Sequence, residues 1–600
     1  MQLQPLDLAI LGGYFVSVIA IGMWASRRGS KDLDSYFLGG RTLPWYMLGV
    51  SDASGMFDIS GTMLMVFWLF VYGVKSIWLP FVWPVFNQIF LMMFLSGWLR
   101  RSNVLTGAEW IEFRFGRGRG ANLAHLSVVF FALANVVGML AYAFKGIGKF
   151  ADGMLPWDLH AVAASFAPGV FASVAGEYLT NENLYALVIL SLTALYAIKG
   201  GMVSVVVTEV LQFFILTLTS LAIGVIAMWQ VAPETIRAAT PAGWNSPWFG
   251  WNLGLDWTGI LDQANQAIKD DGNELFAIVF GLMFFKGVLA SLAGPAPNYD
   301  MQRILATRSP REACLMNGMV NVVLYFPRYM MITGIAVLGI AFCMPQLRAM
   351  EKPDFEALLP IVLTNHIPTG VVGFLLAGLL AAFMSNFAAT INAAPAYLVN
   401  DVYKRFIDPT CSPRTQVRLS RLSSLLVLVI GVLLGIFSEN ITGVMMWIVG
   451  ALYTGYVMAN VLKWYWWRFN GYGYFWGMAS GMAAAMIIPE LAKLEFVTSR
   501  VGDINALFLI PPILLISTIG CLAGTLLTPP EDDATLLHFY RTTRPWGWWG
   551  PIARQAEAET PPTPPNRNFS RDALNVALGI VWQLCLTALP VYIVLREWGW

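Results

Sequence analysis

The chain has 600 residues, of which 57% are hydrophobic and only 12% charged, with a mean hydropathy of +0.61 and a formal net charge of +1. A soluble domain carries about 25% charged residues, so a soluble globular class is excluded. The neutral balance, with no basic tract interleaved with aromatics, gives no sign of a nucleic-acid partner. The five cysteines (Cys314, Cys343, Cys411, Cys521, Cys585) and four histidines are scattered without CxxC or Cys/His spacing, which argues against a structural metal site.

Apolar runs long enough to cross a bilayer recur along almost the whole length. They predict an all-α polytopic membrane protein with about fourteen spans. In chain order these are 7–27, 45–73, 76–99, 122–150, 183–199, 202–231, 273–297, 315–345, 366–400, 419–439, 441–468, 473–492, 504–528 and 573–596. The first run follows Asp7 rather than a basic segment and closes without a small-residue cleavage site, so it reads as a retained helix. Tryptophans near the ends of runs (Trp45, Trp78, Trp110, Trp229, Trp464, Trp466, Trp467, Trp598, Trp600) suggest an interfacial belt, and membrane lipid is the expected surroundings.

Basic residues orient the spans. Arg27, Arg28, Lys31 and Arg41 follow the first run, and Arg100, Arg101, Arg114, Arg117 and Arg119 the third. Arg303, Arg308 and Arg311 follow the seventh, and Lys404, Arg405, Arg414 and Arg418 the ninth. These loops alternate, so all face the cytoplasm and both termini face outward. A bacterial cytoplasmic (inner) membrane is the expected location. Loops carrying Asp152, Asp158, Glu177 and Glu182 fall outside. The fairly apolar stretch 161–174 reads as an outer-surface segment, because a span there would invert every later loop. The segment 232–272 reads as an extracytoplasmic loop and 529–568 as a cytoplasmic linker.

Two spans are interrupted by glycines and polar groups. One carries Gly49, Ser51, Asp52, Ser54, Gly55, Asp58, Ser60 and Gly61; the other Lys286, Gly287, Ser291, Gly294, Pro295 and Pro297. They lie five spans apart, so each opens one half of a five-plus-five inverted repeat, the best sequence pointer to a transporter site at mid-membrane. The expected organisation is an extra N-terminal helix and loop (1–44), a first repeat (45–231), the outer loop (232–272), a second repeat (273–470) and extra C-terminal helices (471–600).

A carboxylate inside a span costs about 2.5–3.5 kcal/mol on insertion scales. Asp52 and Asp58 are therefore expected to meet water, ions or partners, with Lys145, Lys286 and Arg328 the other charges inside predicted spans. Glu209, with Gln212 one turn on, reads as a coupling carboxylate beside Asp52. Lys286 and Arg328 could bind an anionic solute or serve as internal counter-ions. In 373–405, Ser385, Asn386, Thr390 and Asn392 put hydroxyls and amides at mid-membrane. Ala382, Ser385 and Asn386 place a carbonyl and two side-chain oxygens about one turn apart, a hard-oxygen site for a small cation. Phe57, Asp58, Lys286 and Ser291 complete the solute-facing candidates on the two interrupted spans. No P-loop, GxSxG, HExxH or nucleotide fingerprint occurs, so an ion gradient is the expected energy source and no enzyme activity is expected.

Several patches, in order, resemble the sodium:solute symporter family, which includes sodium/glucose and sodium/proline carriers. They are SYFLGGRTLPWY (35–46), GVSDASG (49–55), GGMVSVVVTEVLQ (200–212), NYDMQRILATRSPREA (298–313) and the stretch 382–405, within a likeness spanning roughly 7–470. The resemblance implies a leucine-transporter-like inverted-repeat fold with alternating access, and Na+ as the coupling ion. By position it implies Na+ ligands at the carbonyls of Val50, Ala53 and Ala382 and the side chains of Ser385 and Asn386. The family usually has Ser or Thr where Asn386 stands, and commonly Asp where Glu209 stands. Ser54 and Gly55 match the solute patch of the proline branch. A Gln and a Tyr of the sugar carriers would fall near Phe57 and Ala293, and both are absent, which argues against galactose-like recognition. The expected function is Na+-driven uptake of a small polar solute (sugar, amino acid or carboxylate). A proton-coupled carrier using Asp52 or Glu209 is the alternative, followed by a transporter-like sensor. The solute's identity and the oligomeric state stay open.

Overall fold

The computed structural model describes residues 4–26, 33–82, 86–171, 176, 178–366, 371–438, 441, 448, 452–494 and 506–597. Among them there is no β-strand, and ten helices are long and apolar enough to cross a membrane. In chain order the main helices are α1 (Pro5–Ser26), α2 (Trp45–Met56), α3 (Ile59–Tyr72), α4 (87–101), α5 (Gly107–Phe115), α6 (Arg119–Met154), α7 (Asn181–Gln230) and α8 (Phe276–Leu292). There follow α9 (Tyr299–Ala306), α10 (Pro310–Phe342), α11 (Val371–Pro395), α12 (Pro413–Ile436), α13 (Tyr453–Tyr465), α14 (Gly471–Ala492), α15 (Ile510–Leu526), α16 (Asp533–Thr543), α17 (Gly550–Ala558) and α18 (Phe569–Leu595).

Both interrupted spans are broken helices. The first stops at Phe57, whose N–H reaches the carbonyls of Ala53 and Ser54, and restarts because the Asp58 carboxylate caps the Gly61 N–H at the head of α3. The second stops at Leu292, turns through Gly294 (φ +85°) and restarts at Asn298, whose side chain caps the Asp300 N–H. Carbonyls freed at this break cannot stay unpaired in a membrane interior. Three aromatics of α13 take them up: Trp464 donates to Ala293 O (3.0 Å), Tyr465 to Leu292 O (3.1 Å) and Tyr456 to Pro295 O (3.4 Å).

α7 kinks at Gly201, where φ is +61° and a Cβ would lie 2.8 Å from the Tyr36 carbonyl. Beyond the kink α7 packs on α1, α2, α10 and α11. α11 is buried along its length and continues past Pro395 as wide π-helical turns over Ala396–Ile407, consistent with the hydrogen bond that a proline nitrogen cannot donate. By contrast, α12 turns Leu422, Leu425, Leu426, Val429 and Leu433 outward, a row suited to hydrocarbon.

Three sequence expectations change, and a fourth, that 161–174 does not span, does not. The predicted span 76–99 is a 3-10 stretch (Gly73–Val82, holding Pro80) followed by α4, with 83–85 outside the described residues. The stretch 161–174 holds only the short helices Leu159–Phe166 and Pro168–Phe171 within its described part; neither is long enough to cross. The segment 529–568 is not a free linker, since α16 and α17 dock on the core: Trp549 donates to Trp464 O (2.9 Å) and Trp548 N–H to Tyr465 O (2.7 Å). Trp110 and Trp464 are buried against each other, with ring centroids 4.4 Å apart, rather than interfacial. Arg27, Arg28, Lys31, Glu177, Trp598, Trp600 and, within 441–468, residues 442–447 and 449–451 lie outside the described residues.

The segment 232–272 is tied to α3 through Asp271, which accepts from the Tyr72 hydroxyl at 2.5 Å, with Asn273 donating to the same hydroxyl at 3.0 Å. Burial pushes the Asp271 carboxyl up to about 6, against the Tyr72 hydrogen bond and with help from Asp270 and Glu356. A raised folded-state value means stability is full below the unfolded value near 4 and is lost as pH rises through 6. Corrected for the base-catalysed intrinsic rate, hydrogen-exchange protection at 262–273 is expected to fall between about pH 4 and 6, by on the order of 2 kcal/mol in opening free energy. Asp271→Asn should abolish that pH dependence; a wild-type profile that stays flat over this range would count against it.

Candidate functional site

The two broken helices meet α7 and α11 in the interior. Glu209 on α7 is fully buried and takes both oxygens to the Arg303 guanidinium of α9 (2.7 Å each). Arg303 Nε also donates to Ser51 Oγ of α2 (2.8 Å) and lies 3.9 Å from the Asp52 carboxylate. The Ser51 hydroxyl donates back to Glu209, and Ser385 Oγ of α11 reaches the same carboxylate at 3.4 Å. Four helices are thus joined through one carboxylate.

A second junction lies one turn along α2. The Gly55 carbonyl accepts from Asn386 Nδ2 of α11 (2.7 Å) and from the Tyr299 hydroxyl of α9 (3.3 Å). Close by, the carboxyl groups of Asp52 and Asp300 come within hydrogen-bonding reach of each other. Three acids therefore face one guanidinium. Both Asp52 oxygens, Asp300 Oδ1, Ser54 Oγ and Asn386 Oδ1 are buried with no hydrogen-bond donor. An excess of buried negative charge with undonated oxygens is chemistry that fits a small hard cation.

The predicted ion ligands distribute as follows. Ser385 reaches Glu209 of α7, and Asn386 reaches Gly55 of α2. Ala53 is buried, and its carbonyl accepts from Phe57 N–H at 3.1 Å. Val50 and Ala382 lie inside regular α2 and α11, whose ladders use one lone pair of each carbonyl and leave the other. Helices α2 and α11 pack against each other.

Beside the junction lies a cavity of about 220 Å³, lined among others by Asp58, Asn87, Gln88, Tyr142, Asn298, Tyr299, Asp300, Arg328, Asn386 and Tyr453. Of the solute candidates, Asp58 lines it. Gly55 contributes its carbonyl next door, while Phe57 is buried behind, 5.7 Å from the Arg328 guanidinium that sits over its ring. Ser54 is buried outside the lining. Lys286 and Ser291 are buried on α8 and do not line the cavity, and Ser291 donates to its own helix at Gly287 O (2.8 Å). Lys145 pairs with Glu182 at 3.8 Å.

Sequence reasoning missed Arg303 and Asp300 as site members. Arg303 looked like a loop cation that sets topology, yet it is 1% exposed at the centre of the cluster. The available signal was its place one turn after Tyr299 in the segment that follows the glycine-proline break.

The family model described as "Sodium:solute symporter family" matches residues 177–481. A sodium/glucose cotransporter of Vibrio parahaemolyticus is 25% identical, over 82% of this chain and 84% of its own. A sodium/myo-inositol cotransporter of Bos taurus is also 25% identical, over 91% and 76%. Among solved structures, a Na+-coupled sialic acid symporter in a substrate-bound outward-open state superposes with a TM-score of 0.61 at 18% identity, covering 88% of this chain and 99% of that one. The fold is thus the leucine-transporter-like helical one that the family resemblance implied.

Proposed function

Since the chain belongs to the sodium:solute symporter family and is a Na+-coupled symporter of a small-molecule solute, we propose that sodium entry drives uptake of a small polar solute held in the cavity beside Asp58, Tyr299 and Asn386. The observation that carries this reading is the shared junction. Oxygens of α2, α7 and α11 meet around Glu209, and one turn away α2, α9 and α11 meet at Gly55, through Tyr299 and Asn386, which line the cavity. Sodium is cargo here. Held by Ser385, Asn386 and the carbonyls of Val50, Ala53 and Ala382, with Asp52 and Glu209 as coupling acids, it would offset the excess negative charge and draw α2 onto α11. Anything that favours that closed arrangement raises solute affinity by the same factor that solute raises sodium affinity. Each charge moved through 100 mV supplies about 2.3 kcal/mol, roughly a fiftyfold accumulation.

Both ends of the described chain support an orientation with the termini outside. Asp7 accepts from Gly373 N–H at the head of α11 (2.8 Å), and Glu597 pairs with Arg237 of the outer loop (2.9 Å).

The test is uptake into proteoliposomes of labelled amino acids, sugars and carboxylates, with an inward gradient of Na+ or of K+. Uptake of at least one class is expected to collapse when K+ replaces Na+. Equal uptake in both would refute sodium coupling, and uptake driven by a pH gradient without Na+ would move the coupling to protons.

A further inference from the structure

The cavity contains a charge pair that the sodium cluster does not use. Arg328 of α10 lines it and is 8% exposed, with its Nε buried and without a hydrogen-bond partner. Among the described residues, the contact shown for its guanidinium is the cation–π one to Phe57, with no hydrogen bond or ion pair within 4.0 Å. Five N–H donors in a membrane interior are costly when left unmatched. The nearest acid is Asp58, whose carboxylate already caps the Gly61 N–H and accepts from the Tyr142 hydroxyl (3.3 Å). The two charges straddle Gly61: a Cβ there would lie 3.0 Å from Asp58 Oδ2 and 3.1 Å from Arg328 Nη2. They are held close without closing on each other.

The rest of the wall has the opposite bias. Asn87 Oδ1, Asn386 Oδ1 and Asp300 Oδ1 are buried acceptors without donors, and all three residues line the same cavity. One fork of donors therefore faces a set of acceptors that, counting Asp58, includes two acids. A neutral polyol would leave the guanidinium without an anion, and a simple carboxylate would leave the acceptors without donors. From this we propose that the transported solute is a small zwitterion of the amino-acid type, its carboxylate on Arg328 and its ammonium on the Asp58 and Asp300 side. The assignment rests on the cavity being the solute site, as proposed above, and makes Arg328 the residue that selects for a carboxylate.

The experiment uses the full chain purified in detergent, and measures thermal stabilisation by the protein amino acids, hexoses, myo-inositol, short hydroxy acids and glycine betaine, each in Na+ and in K+ buffer. Stabilisation by one or more amino acids is expected, with hexoses, myo-inositol, the hydroxy acids and betaine inert, betaine because it has no N–H to give. Arg328→Gln should weaken the amino acid about tenfold or more. Asp58→Asn should weaken it similarly while leaving the fold intact, since Asn caps a helix as well as Asp does. Binding of hexose, inositol or a hydroxy acid with no response to any amino acid would overturn the proposal, as would undiminished amino-acid binding by Arg328→Gln. Amino-acid binding equal in Na+ and K+ would support this assignment and count against sodium coupling; sodium-dependent hexose binding would do the reverse.

Discussion

Glu209→Ala is expected to cost about 3–5 kcal/mol of stability and to abolish transport, because it leaves the Arg303 guanidinium in the interior without its main partner. Asp52, at 3.9 Å, is too far for a direct hydrogen bond and already faces Asp300. Arg303→Ala should be at least as damaging, since it would leave Glu209, Asp52 and Asp300 with no cation between them. Removing both charges with Glu209→Met and Arg303→Met should recover part of the stability lost in Glu209→Ala but none of the transport, because packing can replace the broken pair while Asp52 and Asp300 stay without their cation. Glu209→Asp keeps the charge on a shorter arm and should fall between. Unfolding in detergent measures the first quantity and proteoliposome uptake the second. A Glu209→Ala protein within about 1 kcal/mol of wild type would show that the pair is not desolvated.

Asn386→Ala is expected to raise the Na+ concentration for half-maximal uptake about tenfold or more, equivalent to about 1.4 kcal/mol or above. The amide has two jobs in one side chain. Its nitrogen ties α11 to the Gly55 carbonyl at 2.7 Å, and its oxygen is buried at the cavity wall with no donor. Alanine removes both. Asn386→Ser restores a hydroxyl oxygen of the kind the family usually carries but is too short to keep the Gly55 contact, so it should regain sodium affinity more than stability. Ser385→Ala should shift sodium dependence less, because its hydroxyl holds Glu209 at only 3.4 Å. The sodium titration of uptake separates these cases. An Asn386→Ala curve that overlays wild type would remove the amide from the ion site.

The residues legible in the sequence were those whose chemistry conflicts with hydrocarbon. Asp52, Asp58, Glu209, Ser385 and Asn386 stood out because a polar group at mid-span needs a reason, and the structure gathers them around two junctions and one cavity. Lys286 stood out for the same reason, yet it is buried on α8 and does not line the cavity. A pattern along one helix says that a charge is buried but not which neighbour it faces. Arg303 was hidden by the opposite error. Basic residues after a span usually lie in cytoplasm, but the short helix α9 turns back into the protein and carries its arginine with it.

Composition and hydropathy alone determined that the chain is a helical bundle in a membrane, because backbone groups in lipid must pair within their own segment, and a helix does so without help from elsewhere. The glycine and polar interruptions likewise determined where two helices break, since caps and turns are local. Tertiary structure alone decided which acid meets which cation. Electrostatic partners lie 94 residues apart for Glu209 and Arg303 and 331 apart for Gly55 and Asn386, and only the packing of α2, α7, α9 and α11 brings them within a hydrogen bond's length.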